Sequence, residues 1–101
     1  MFLFGPKVDT ISPEEAKQQL KKGAIIIDIR NEDAFRAGHI KKAINIPIKN
    51  IPLKISTLDK DKEYLVICYV GGSSKMAATM LKKAGLNVKN ISGGMKDWGS
   101  I

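Results

Sequence analysis

The chain has one cysteine, Cys68, and one histidine, His39. A lone cysteine forms no disulfide within the chain, so no disulfide scaffold holds this fold. It also lacks a resolving partner, which excludes thioredoxin-type exchange within the chain. One cysteine and one histidine are too few for a Cys/His zinc site. Arginine is scarce: Arg30 and Arg36 are the only two, and the other cations are lysines. Aromatics make up 6% of the residues and are not interleaved with the lysines, as a stacking platform for single-stranded nucleic acid requires. Residues 64–70 form the longest apolar run near the middle, seven residues, whereas a membrane span needs about 20. Met1-Phe2-Leu3-Phe4 is apolar but stops at Gly5-Pro6 with no basic leading segment, unlike a signal peptide. The expectation is a cytoplasmic protein that engages neither nucleic acid nor membrane.

What is present is ordinary for a globular protein. The 101 residues are 44% hydrophobic and 27% charged, enough for one domain and one core. The net charge is +7, from 17 basic and 10 acidic residues. The lysines stand singly or in pairs, as at Lys21-Lys22, Lys41-Lys42 and Lys82-Lys83, and read mostly as a solvated surface.

Strand-like and helix-like segments alternate along the chain. Residues 8–11 are a short strand candidate. Ser12-Pro13-Glu14-Glu15 then opens a helix: Ser12 caps it, Pro13 takes the first position and Glu15 closes a capping box. That helix stops at Gly23. Residues 24–28 are a continuous apolar run ending at Asp28, the pattern of a strand buried on both faces. Asn31 caps a short helix to residue 37, ended by Gly38. Residues 43–46 form a short strand, and Pro52 interrupts a loop with a short helix over 48–58. Residues 63–68 are the second strongly apolar strand. A helix follows over 74–84 with Ala77, Met80, Leu81 and Ala84 at helical spacing. Residues 87–91 are a last strand, and Gly93-Gly94 leads into a short helix ending near Trp98. This alternation predicts an α/β fold: a mostly parallel central sheet with helices on both faces. Ligands in such sheets bind at the carboxyl ends of strands. The rule points to the loops after Asp28 and after Cys68.

Cys68 closes a buried strand, a short loop with Gly71 and Gly72 follows, and a helix begins at about Ser73 or Ser74. Glycines let successive N–H groups turn inward into an anion-binding nest. The helix amino end adds unpaired donors and a positive dipole end. A cysteine held there has a lowered pKa, and its thiolate is a nucleophile. Ser73 and Ser74 offer hydroxyl donors or a helix cap. Cysteine phosphatases share this layout but need an arginine six positions after the cysteine to fork onto phosphate. That position is Ser74, and no arginine follows Arg36, which argues against phosphoryl transfer.

Three ordered motifs carry a family resemblance across residues 24–98. Asp28-Ile29-Arg30, Phe35, Gly38-His39-Ile40 and Ala43-Ile44-Asn45-Ile46-Pro47 resemble the first signature of rhodanese domains. Cys68 with Gly71, Ser74 and Ala77-Ala78 resembles the active-site loop. Gly93-Gly94-Met95 with Trp98 resembles the second signature. The loop Cys68-Tyr69-Val70-Gly71-Gly72-Ser73-Ser74-Lys75 is similar in text to that of single-domain bacterial thiosulfate sulfurtransferases. Many rhodaneses carry arginine where Tyr69 stands and arginine or lysine where Ser73 stands, which leaves the sulfur donor open. Lys42 replaces a glycine common in the family, with little consequence expected.

The resemblance implies one rhodanese-like domain over residues 1–101 that transfers sulfur in two steps. A sulfane donor such as thiosulfate gives sulfur to Cys68 as a persulfide. A thiol, cyanide or a partner protein then takes it. No metal or organic cofactor is implied. A non-catalytic module binding a partner protein, or a persulfide relay, are the alternatives. Residues 69–74 form the loop and anion nest. Lys75 divides between attracting an anionic donor and an ordinary first-turn surface position. Asp28, Arg30 and His39 are expected to support neighbouring loops rather than perform chemistry.

Overall fold

The computed structural model describes residues 7–69 and 72–99, so the predicted loop residues Val70 and Gly71 lie outside the described residues. The five strands β1 (Thr10–Ile11), β2 (Ile25–Asp28), β3 (Ile44–Asn45), β4 (Glu63–Ile67) and β5 (Asn87–Ile91) form one sheet in the order β1-β5-β4-β2-β3. Every strand pair is parallel. The two most apolar strands, β2 and β4, are neighbours, with Ile27 opposite Val66 and Asp28 opposite Ile67.

Alternation along these strands builds two cores, one on each face. Ile27, Tyr64, Val66 and Val88 pack with Ile51 of α3 (Ile51–Lys54) and Ala77, Ala78 and Leu81 of α4 (Gly72–Lys83). Ile26, Leu65, Ile67 and Ile91 pack with Ala16 of α1 (Pro13–Lys21) and Met95 and Trp98 of α5 (Gly94–Trp98). A strand covered on both sides needs apolar residues at every position, which accounts for the continuous runs.

The helix boundaries follow the caps. The Ser12 hydroxyl accepts the Glu15 N–H at 3.1 Å and the Glu15 carboxylate accepts the Ser12 N–H, a closed capping box. Asn31 Oδ1 accepts the Ala34 N–H at 2.8 Å and starts α2 (Glu32–Ala37). The segment after Pro47 forms 3-10 turns at Ile48–Asn50 and Ile55–Thr57 around α3. Lys42 has φ 69°, the left-handed region where glycine is unstrained, so a lysine in its place carries about 1–2 kcal/mol of strain. This differs from the neutrality expected of that substitution. Among the described residues, no helix is long and apolar enough to cross a membrane.

The chain leaves β2 towards β3 on one side and leaves β4 towards β5 on the other. The switch point therefore lies between β2 and β4, where a crevice opens beyond the strand ends.

Candidate active site

Cys68 directly follows β4, and the 12-residue helix α4 begins at Gly72. The cysteine is 5% exposed and packs on the α3–α4 face of the sheet. A cavity of about 510 Å³ opens beside it at the switch point. The loop after β2 contributes Ile29, Arg30 and Asn31, and α2 contributes Ala34 and Ala37. Among the described residues, Ile48, Tyr69 and Ser73 also line it, with Cys68.

The loop is clamped at both ends by the segment from β5 to α5. At its start, the Met95 N–H donates to Cys68 O at 2.7 Å and the Lys96 N–H donates to Tyr69 O at 2.9 Å. These two carbonyls are thereby drawn towards α5, on the face opposite the thiol. The approach is close enough that only glycine fits at position 94: an added Cβ would lie 2.5 Å from Cys68 O and overlap Tyr69 O. Gly94 also has φ 61°. At the far end, the buried Ser74 hydroxyl donates to the buried Asn90 Oδ1 at 2.5 Å. Asn90 Nδ2 in turn donates to Thr10 Oγ1 at 3.3 Å.

The opposite wall is fixed by an ion pair. Asp28 is fully buried, and its carboxylate accepts Arg30 Nε–H at 3.0 Å and Nη2–H at 2.7 Å. The same Nη2 donates to Gly38 O at 2.6 Å, which ties down the end of α2. Asn45 Nδ2 donates to the carbonyls of Asp28 and Arg30, each at 2.9 Å. These bonds tie the loop after β2 to the end of α2 and to β3.

Comparison with known proteins identifies the arrangement. The family model of the rhodanese-like domain matches residues 12–101. The chain belongs to the rhodanese family. It is 41% identical over 91 residues to the thiosulfate sulfurtransferase GlpE of Pseudomonas entomophila, covering 89% of this chain and 84% of that protein. It is 34% identical over 94 residues to the putative sulfurtransferase YtwF of Bacillus subtilis, covering 91% of each. The crystal structure of a rhodanese-related protein from Thermoplasma volcanium superposes with a TM-score of 0.84 at 32% identity, covering 89% of each chain. The protein is thus a rhodanese-type sulfurtransferase.

In this rhodanese, the structure brings Cys68, Tyr69, Ser73 and Arg30 to one cavity. Gly72 is the first residue of α4, lies outside the left-handed region, and has open space where a Cβ would stand. Ser74 is turned inward to Asn90, and Lys75 is an exposed residue of the first turn of α4. His39 stacks on Phe35 with ring centroids 3.7 Å apart. Its Nδ1–H donates to Phe35 O at 2.7 Å, so the histidine closes the end of α2. Among the described residues, no group of three or more His, Cys, Asp or Glu is placed to hold a metal ion.

Sequence reasoning missed Asn90, the small wall residues Ala34 and Ala37, and the reason for Gly94. Asn90 did leave a signal. It shares a strand face with Val88, where an apolar residue is the norm, and a polar side chain there needs a buried partner.

Proposed function

We propose that this rhodanese transfers a sulfane sulfur from thiosulfate, or a similar donor, to a thiol, cyanide or protein acceptor through a persulfide on Cys68. The observation that carries the reading is the position of Cys68, between the end of a buried strand and the start of α4, on the wall of the open cavity. In the first step the Cys68 thiolate attacks the outer sulfur of thiosulfate. The bond between the two thiosulfate sulfurs breaks, sulfite leaves with the electron pair, and Cys68 keeps the sulfur as a persulfide anion. In the second step the acceptor attacks that outer sulfur and the electron pair returns to Cys68 Sγ. Both steps balance without an oxidant or a reductant. The amino end of α4 favours the anionic forms of Cys68 throughout.

Intact-protein mass spectrometry after incubation with thiosulfate, without reductant, tests this. The expected result is a gain of one sulfur atom, reversed by cyanide and absent in Cys68→Ser, which folds normally. A Cys68→Ser protein that gains sulfur and turns over at the original rate sinks the mechanism.

A further inference from the structure

We propose that the cavity beside Cys68 takes, as sulfur acceptor, a small organic thiol whose sulfur ends an uncharged carbon chain, and that Ala34 and Ala37 set the chain length. This rests on the persulfide reading above. The cavity holds about 510 Å³, within the roughly 300–1,000 Å³ typical of sites for organic ligands. Thiosulfate has five heavy atoms. At about 30 Å³ each, the share of a water molecule in the liquid, it fills roughly 150 Å³ and leaves most of the space to another molecule.

The chemistry of the wall says what that molecule is. Ile29, Ala34, Ala37 and Ile48 present hydrocarbon. Two of the polar side chains among them are turned to partners within the protein. Arg30, the only charged side chain of the described wall, is held by the Asp28 carboxylate and by Gly38 O. Asn31 Oδ1 is committed to the Ala34 N–H. Away from Cys68 and the amino end of α4, a charged chain end would meet no uncompensated cation among the described residues of this wall, whereas a neutral carbon chain would lose nothing by leaving water. Ala34 and Ala37 are three apart on α2 and so share one helix face. Their small side chains leave the room that larger ones would fill. α2 itself cannot retreat, because Asn31 caps its start and Arg30 holds its end.

The transfer is the second step above with a defined acceptor. The thiol loses its proton to solvent, and its sulfur attacks the outer persulfide sulfur. The new S–S bond forms on the carbon chain, the bond to Cys68 Sγ breaks, and the products are an alkyl persulfide anion and the Cys68 thiolate.

The test measures kcat/KM for transfer from thiosulfate to straight-chain thiols of rising length, to thiols of matched length ending in a carboxylate, and to cyanide. The expected result is a rise of about 4-fold per added methylene, carried by KM, ending in a plateau when the cavity is full. The carboxylate-ended thiols fall well below their neutral counterparts. In Ala34→Leu and Ala37→Leu the plateau comes at a shorter chain, and the preference for long over short thiols drops at least 10-fold. The chain-length series on the unaltered protein stands even if a variant fails to fold. A flat or falling dependence on chain length while cyanide is turned over normally overturns the inference and leaves the persulfide reading standing. An unchanged plateau in well-folded variants overturns the role of the two alanines. Failure to load Cys68 with sulfur overturns both readings.

Discussion

Replacing Gly94 with alanine separates backbone strain from steric contact at the active-site loop. The new Cβ would lie 2.5 Å from Cys68 O and from the Tyr69 carbonyl carbon. These are backbone atoms, so no side chain can swing aside. Reaching an ordinary contact of about 3.5 Å requires the loop and α5 to part by roughly 1 Å. That movement weakens the hydrogen bonds from Met95 and Lys96, each contributing about 1 kcal/mol. The positive φ of 61° adds about 1 kcal/mol net, from about 1–2 kcal/mol of left-handed strain less about 0.5–1 kcal/mol regained in unfolded-chain entropy. Gly94→Ala should therefore lose about 3 kcal/mol of stability in urea unfolding. Sulfur transfer per folded molecule should fall about 100-fold, as expected of a nucleophile displaced by 1 Å. Gly23→Ala is the control, because Gly23 has φ 100° and nothing within 4 Å of the added Cβ. It should lose about 1 kcal/mol and keep full activity. If Gly94→Ala matched Gly23→Ala in both stability and turnover, the clamp would have no role.

Lys42→Gly relieves about 1–2 kcal/mol of left-handed strain at φ 69° and costs about 0.5–1 kcal/mol in unfolded-chain entropy. A net stabilisation of about 0.5–1 kcal/mol should appear in the denaturation midpoint, and a loss would contradict the strain. Asn90→Ala removes the hydrogen bond that the buried Ser74 hydroxyl donates to Asn90 Oδ1 and should cost about 1 kcal/mol. The double variant with Ser74→Ala should cost less than the sum of the singles, since both partners are then gone; simple additivity would mean that the bond contributes nothing. Arg30→Ala abandons a fully buried carboxylate and should cost about 3–5 kcal/mol. Adding Asp28→Asn should restore part of that loss in the same unfolding assay; no recovery would assign the effect of Arg30 to packing.

The element order, the caps of α1 and α2, the two doubly buried strands and the nucleophile candidate were all legible in the residues. These are local properties. Periodicity reports which faces are covered, and a cap is written within three or four residues of the helix it starts. The resemblance carried by Cys68, Gly38-His39 and Gly93-Gly94 added the family. Folding makes β2 and β4 neighbours, which brings the loop after Asp28 against Cys68 and creates the cavity. It also turns Ser74 inward to Asn90 and lays Gly94 against the Cys68 carbonyl. Residues 16 and 26 apart in the chain are involved, and no local pattern encodes a contact between them. Sequence placed glycine at position 94, but only the packing of α5 against the end of β4 explains why no other residue fits.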